Sequence, residues 1–422
     1  MDVGPYETID FGKLADAFPP LKPFLFMTAS GRYSLNFKDD AANRTLTQAL
    51  LKRDFGLQVT LLDDRLCPPV PNRLNYVLWI SELVKVLDLD QPIVGLDIGT
   101  GSTAIYPLLA CSIHKTWRFV AADIDSRSLA AAQTNIEQNP TVKDRIHLYP
   151  TTQDAPILSP LLPENLARIA TSHIAFSMCN PPFYSDLEDV NRSAENKEYG
   201  PHAVCTGALV EMITPGGEVA FVQRMIDESI NLREMCRWYT SLLGKMSSVT
   251  SLIHSIKEKG IDNYAITELV QGSTRRWVIA WSFTDIRLPD TLARPKSSSL
   301  KSIAPLPNHL HHPTTQPISH ASLLQALADV PKLQYQQLQD PPRVCATVYE
   351  VTWTRAARRR MARDGSTTEQ VQNEDARPVM ICEVMVVDAH TLQVRWVRGR
   401  DRIIFESFWG YLSKKLDTSV ST

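Results

Sequence analysis

From Ile93 the chain alternates two kinds of segment. Apolar runs of strand length, IVGLDIG, WRFVAADID, IHLYP, IAFSMCN, EVAFVQ and finally ITELVQ with WVIAWSF, are separated by stretches with helical spacing. Strands alternating with helices predict a mostly parallel sheet covered on both faces, an α/β fold over residues 91–285. The last two runs flank QGSTRR, a short polar loop suited to joining an antiparallel pair. The sheet is therefore expected to be mixed.

Before this alternation, residues 1–90 read as helical in several pieces, with Leu46, Leu50 and Leu51, then Val77, Leu78, Leu83, Val84 and Leu87, at helical spacing. After it, RLPDTLARPKSSSLKSIAPLPNHLHHPTTQP is rich in Pro, Ser and His and has no apolar period, which predicts a linker over 286–317. Residues 318–415 read as a small α+β domain: a helix in SLLQALADVPKLQ, strands in VCATVYEVTW, VMICEVMVV and LQVRWVRG, and a closing helix in FESFWGYLSKKL. A length of 422 residues, 44% of them hydrophobic and 21% charged, suits two or three domains. No internal repeat of solenoid period is present.

The net charge of -2 neither favours nor excludes nucleic acid, so any RNA-binding charge must be gathered locally. Seven scattered cysteines (Cys67, Cys111, Cys179, Cys205, Cys236, Cys345, Cys382) never form the close pairs of a zinc site or a redox dithiol. They read as free thiols in a reducing compartment, and no metal is expected. Asp2, Glu7 and Asp10 occupy the start where a secretory signal would be basic, and no run of about 18 apolar residues occurs. The expectation is a cytosolic or nuclear protein away from membranes, monomeric because no exposed heptad stands out.

The chemistry gathers at two turns. GLDIGTGSTA (95–104) runs from an apolar strand into a G-x-G-x-x-A turn at Gly99, Gly101 and Ala104, and then into the helix IYPLLA. Small residues there let a nucleotide-like ligand approach the backbone, although a plain tight turn has the same look. Asp97 just before the glycines and Asp123 at the end of the next strand strengthen the ligand reading, Asp123 being placed to grip a ribose. Asp125 reads as the N-cap of the following helix. To this point a dinucleotide oxidoreductase remains open.

Asn180-Pro181-Pro182-Phe183, directly after IAFSMC, separates the alternatives. The Asn180 side-chain oxygen and the Pro181 carbonyl can both accept hydrogen bonds from one NH₂ group, turning its nitrogen toward an electrophilic methyl. Phe183 offers a face for a planar base, and Tyr184 can add to it. Such a transfer needs positioning and electrostatics rather than a metal or a dedicated base.

NPPF after a strand, with DIGTG about 80 residues earlier, resembles the class I adenine and glutamine amino-methyltransferases. GRYSLNFKD, LLKRDFGL, VPNRLNY, DIGTGSTAIYPLL, MCNPPFY, RWYTSLLGK and QGSTRRWVIAWSF narrow the likeness to the methyltransferase-like protein 16 family, over nearly all of residues 1–284. That family modifies adenosine in U6 small nuclear RNA, and its bacterial relatives modify 23S ribosomal RNA. The resemblance implies a class I (Rossmann-like) fold with a mixed seven-stranded sheet, an N-terminal helical RNA-binding extension, and S-adenosyl-L-methionine as methyl donor. It implies N6-methylation of an adenosine in structured RNA, the ACAGAGA box of U6 small nuclear RNA, and a nuclear location. Carried over by residue, Arg73 lies near the donor's carboxylate, with Asp97, Gly99, Gly101 and Asn180 also at the donor. Asp123 lies at the ribose, where a Glu is usual, and Asn180, Pro181, Pro182 and Phe183 lie at the target adenine.

The resemblance also places Arg32, Lys38, Lys245, Arg275 and Arg276 along an RNA groove, although each is equally readable as ordinary surface charge. The segment after NPPF, residues 185–204, lacks the basic, proline-rich character usual for the family. Residues 318–415 resemble the family's C-terminal kinase-associated-1-like domain through VRWVRGRDR and the closing helix. There Arg358, Arg359 and Arg360, with Arg355 and Arg363, are dense enough to bind phosphate by counterion release, or else form a solvated helix end. Two other readings stay open: a protein glutamine N5-methyltransferase, and an RNA-binding factor whose catalysis is secondary.

Overall fold

The computed structural model describes residues 6, 9–89, 92–169, 171–190, 208–272, 274–339, 342–363 and 377–418. The chain forms two compact units, Met1–Thr284 with Pro295–Pro305, and Asp285–Arg294 with Leu306–Thr422.

In the first unit, a short hairpin pairs β1 (Leu25–Met27) with β2 (Tyr33–Leu35). The main sheet comprises β3 (Val94–Ile98), β4 (Arg118–Asp123), β5 (Ile146–Pro150), β6 (Ile174–Cys179), β7 (Cys236–Leu243), β8 (Tyr264–Gln271) and β9 (Thr274–Trp281). Its order is β5-β4-β3-β6-β7-β9-β8. The first five strands run parallel and the β8–β9 hairpin closes the sheet antiparallel. The seven-stranded mixed sheet expected from the sequence is present. Strand order reverses beside β3: β4 lies on one side and β6 on the other, with Ile98 opposite Cys179. A sheet of this kind binds ligands at the crevice such a reversal opens at its carboxyl edge.

One strand assignment is corrected. EVAFVQ, which reads as a strand, forms the first turns of the helix Gly217–Leu232, and the strand at that place in the sheet is β7, CRWYTSLL. Glu218, Val222, Met225, Ile226 and Ser229 are the buried positions, a helical period that only emerges beyond a six-residue window. In β7 the polar residues mask a strand buried at every position but Arg237. Thr240 is 0% exposed because its hydroxyl donates to the Ser177 carbonyl (2.6 Å) and its amide donates to the Ser177 hydroxyl (3.2 Å).

The N-terminal 90 residues are helical over Phe11–Ala17, Asp40–Phe55 and Val70–Leu87, as predicted, but they are not an appendage. Val70–Leu87 buries Leu74, Tyr76, Val77, Trp79, Ile80 and Leu83 at 2% exposure or less, and it belongs to the same compact unit as the sheet.

The second unit is an antiparallel sheet of β10 (His309–Pro313), β11 (Gln334–Leu338), β12 (Arg343–Val348), β13 (Met380–Asp388) and β14 (Thr391–Gly399), in the order β10-β14-β13-β12-β11. Alternate residues of β12, β13 and β14 are buried, and they pack with the helices His320–Ala328 and Arg402–Thr418 in one core. Trp396 stacks on Phe405 with ring centroids 5.3 Å apart.

The stretch 286–317, whose composition predicts a linker, is built into both units instead. Ile286 bridges to Arg398, and His309–Pro313 pairs along β14. Leu300 and Ile303 enter the core of the first unit, where Tyr264 donates its hydroxyl to the Ile303 carbonyl (3.0 Å). Backbone pairing and two anchoring side chains order this segment, and neither leaves a mark on composition.

Candidate active site

The two chemically loaded turns emerge side by side from β3 and β6. After Ile98, Gly99 and Gly101 take φ of 72° and 64°, values that cost a residue with a side chain, and Ala104 also lies in the left-handed region ahead of the helix Ile105–Ile113. The Gly99 and Thr100 amides donate to the Ala122 carbonyl (2.9 and 3.0 Å), tying the turn to β4. At the end of β4, Asp123 accepts the Gly101 amide on one oxygen (2.8 Å) and the Asp125 amide on the other (2.9 Å). Burial lifts its carboxyl above the usual range while these amides pull it back. Asp125 caps Ser126–Glu137, as predicted.

A cavity of about 630 Å³ opens above these turns, lined by Arg73, Gly99, Gly101, Asp123, Asn180 and Pro181 among others. Arg73, from the helix Val70–Leu87, is 6% exposed. Its Nη1 donates to the Tyr106 hydroxyl (3.2 Å) and reaches Asn180 Oδ1 at 3.4 Å. An amide oxygen held by a guanidinium faces the cavity's donors as an acceptor.

Asp97 stands differently. It is 0% exposed and lies behind the turn rather than on the cavity wall. Neither oxygen completes a hydrogen bond, the Thr100 hydroxyl lying beside them without closing one. Burial, with the neighbouring Asp123 charge, pushes its carboxyl up to about 7.

The NPPF turn is held by the segment that follows it in space. Tyr184 donates its amide to the Met212 carbonyl (2.9 Å) and accepts the Thr214 amide (3.0 Å). Tyr184 is 7% exposed, so it supports the turn from within and does not extend a stacking face. Phe183 is half-buried, with the Arg276 guanidinium 5.9 Å from its ring centroid. Lys245 donates its amide to Glu218 (3.1 Å), and its Nζ lies 3.6 Å from Asp189. Arg275 pairs with Glu268 at 2.9 Å. Arg32, in the β1–β2 turn, and Lys38 are exposed. In the second unit the helix Arg355–Arg363 exposes Arg358, Arg359 and Arg360, the last reaching Glu350 at 2.9 Å. Of the basic residues singled out, the fold brings Arg276 to the Phe183 ring. Most of the 185–204 segment, like Cys205, lies outside the described residues.

Three residues joined to this site, Glu211, Glu218 and Gly244, were not singled out by the sequence as site residues, although Gly244 lies within RWYTSLLGK. Glu211, on the cavity wall, accepts the amides of Leu66 (2.9 Å) and Ala208 (3.1 Å). Glu218 accepts the amides of Gly244 and Lys245, and Gly244 abuts Phe183. Each joins segments remote in sequence, which neither periodicity nor a short motif records. Among the described residues no cluster of His, Cys, Asp or Glu is placed to hold a metal, and no helix is long and apolar enough to cross a membrane.

This donor set fits a ligand with a nucleoside at one end and an amino acid at the other. The glycine turn admits close approach, Asp123 stands where ribose hydroxyls can donate, and Arg73 offers a guanidinium to a carboxylate. Asp97 lies behind this wall, where a cationic ligand would favour its ionised form.

The sequence model of an RNA methyltransferase family matches residues 5–285. The U6 small nuclear RNA (adenine-(43)-N(6))-methyltransferase of Schizosaccharomyces pombe is 36% identical over 388 residues, covering 90% of this chain and 95% of that protein. The human RNA N(6)-adenosine-methyltransferase METTL16 is 39% identical over 280 residues, 65% of this chain, and the chain spans only 49% of its length. Among solved structures, the hMettl16 catalytic domain in complex with MAT2A 3'UTR hairpin 1 superposes with a TM-score of 0.60 at 36% identity, covering 69% of this chain and 96% of that one. The N-terminal domain of human METTL16 in complex with SAH gives 0.55 at 36% identity, covering 67% and 96%.

Proposed function

Because the chain belongs to the RNA methyltransferase family whose model it matches, we propose that it transfers a methyl group from S-adenosylmethionine to the N6 amine of one adenosine in a structured RNA, the ACAGAGA box of U6 small nuclear RNA. The observation that carries this is the Asn180-Pro181 turn, set on the strand next to the glycine turn, with its amide oxygen already oriented by Arg73.

The bound donor supplies an activated sulfonium methyl, and the chain supplies placement. Asn180 Oδ1 and the Pro181 carbonyl accept the two amine hydrogens, which directs the nitrogen lone pair at the methyl and disfavours its conjugation with the ring. The two prolines keep the turn stiff. Phe183 receives the extruded base on its ring. Asp123 and Arg73 hold opposite ends of the donor. The proton lost by the amine leaves after transfer, when the nitrogen has become strongly acidic, so no general base is needed. Arg32, Lys38, Lys245, Arg275 and Arg276 contact RNA from the first unit, and Arg358, Arg359 and Arg360 add phosphate contacts from the second. A U6 substrate places the protein in the nucleus. The protein-glutamine alternative loses support, because the relatives named above act on RNA.

The test is methyl transfer from labelled S-adenosylmethionine to a U6-like hairpin carrying ACAGAGA. Incorporation should require the central adenosine and should fall roughly 100-fold or more in Asn180→Ala at saturating donor. Donor binding without incorporation into this hairpin or into total cellular RNA would sink the proposal.

A further inference from the structure

The target-base turn rests on a buried carboxylate that the reaction itself does not use. Gly217 (φ +65°) lies against the backbone of the turn, where a Cβ would stand 3.4 Å from the Phe183 carbonyl oxygen and 3.5 Å from the Ser185 nitrogen. The next residue, Glu218, is 2% exposed. One of its oxygens accepts the Gly244 amide (2.8 Å) and the other accepts the Lys245 amide (3.1 Å). Gly244 in turn abuts the Phe183 ring, since a Cβ there would lie 3.0 Å from both Cδ1 and Cε1. Its backbone is outside the left-handed region, so glycine is needed at 244 for space beside the ring.

A carboxylate shut away from water is costly unless donors hold its charge. Two consecutive main-chain amides do so here through charge-assisted bonds, about twice as strong as neutral ones. Only a carboxylate presents an acceptor to each of two adjacent N–H groups. A glutamine at 218 would satisfy one and turn its own NH₂ against the other.

We infer that Glu218 is a positioning residue for the target base: it sets the 244–245 backbone against Phe183, fixing the ring that receives the adenine and the take-off point of the RNA-facing Lys245. It joins the first turn of the helix Gly217–Leu232 to the end of β7, and so to the base-receiving half of the site. The helix also lends Ala220, Phe221 and Arg224 to the cavity wall, whereas Glu218 and Gly244 themselves are not on it. This role rests on reading Asn180–Phe183 as the target-base turn.

The experiment compares wild type with Glu218→Gln, Gly244→Ala, Phe183→Ala and Asn180→Ala. The substrate is the ACAGAGA hairpin, and the same hairpin carrying 2-aminopurine at the target position, which has no 6-amine to methylate, serves as a stacking probe alone. Glu218→Gln and Gly244→Ala should leave donor affinity unchanged, raise the KM for RNA, lower kcat, and reduce kcat/KM roughly 10- to 100-fold. The 2-aminopurine signal of base stacking should weaken with them, and adding Phe183→Ala to Glu218→Gln should cost little more than either change alone. Gly244→Ala crowds the same slot from the Phe183 side, 3.0 Å from the ring and 3.4 Å from Glu218 Oε2, while keeping the carboxylate's charge, so it stands in if Glu218→Gln fails to fold. Wild-type kcat/KM and stacking in both variants would overturn the inference. A parallel loss of donor affinity in both would also overturn it, making Glu218 a general support of the unit. A fully active Asn180→Ala variant would instead sink the reading of the turn, and this role with it.

Discussion

Burial drives a carboxylate toward its protonated form, and Asp97, at the foot of the glycine turn, is fully buried with only the nearby Thr100 hydroxyl and the Arg73 charge to favour ionisation. Burial first, and the Asp123 charge second, raise it from 3.8 in the unfolded chain to about 7 in the fold. Because the folded value is the higher one, its stabilising protonation is fully present below about 4 and is lost as pH rises through about 7. Asp97→Asn should therefore melt above wild type on the alkaline side of that window, with the gap closing toward acid, as thermal unfolding at several pH values would report. The donor is cationic at its sulfonium and ammonium, so its affinity for wild type should climb over the same window and stay level in Asp97→Asn. Titration calorimetry checks this, and a wild-type affinity independent of pH would remove Asp97 from the donor's field. The sequence marks Asp97, Gly99, Asp123 and Asn180 because their meaning is local: a strand end, a tight turn, an acceptor. That Asp97 lies behind the cavity, and that Arg73 grips Asn180 from 107 residues away, are facts of packing.

Elements were legible where a local pattern decides them. β3 and β6 are apolar and close on turn residues, and the pairing of β8 with β9 follows from the short loop between them. The helix Gly217–Leu232 defeats the same logic, since a six-residue apolar window serves a strand or a buried helix equally and only the positions of Met225, Ile226 and Ser229 settle it. The helix Arg355–Arg363 carries a prediction of its own. Arg358 and Arg359 are exposed, whereas Arg360 already reaches Glu350. Replacing Arg358 and Arg359 by Gln should weaken RNA binding evenly across sequences and lower the slope of log K against log salt by about 1.4 to 1.8. Arg360→Gln should change that slope less, because part of its charge is already answered. Equal slopes in wild type and the double variant would make this helix a solvated surface.

At the scale of the whole molecule, the chain passes between its two units more than once: residues 285–294 belong to the second, 295–305 return to the first, and 306 onward rejoin the second. A first unit cut after Thr284 should consequently be less stable than one cut after Pro305. It loses the burial of Leu300 (1% exposed) and Ile303 (6%) and the hydrogen bond from Tyr264. Two such side chains are worth about 3–6 kcal/mol as an upper bound, which lowers Tm on the order of 10 °C in a domain of this size. Equal melting of the two fragments would mean that 295–305 merely lies on the surface. By itself the sequence determined the α/β alternation, the glycine and Asn-Pro-Pro turns and the antiparallel close of the sheet. Each is written in residues adjacent in the chain, through periodicity and the special φ that glycine alone takes cheaply. Tertiary structure alone decided that 217–232 is a helix, that 286–317 is built into the units, and that Glu218 holds Gly244 beside Phe183. These depend on backbone pairings and buried charges joining distant segments, and such contacts leave no period or motif in the chain that makes them.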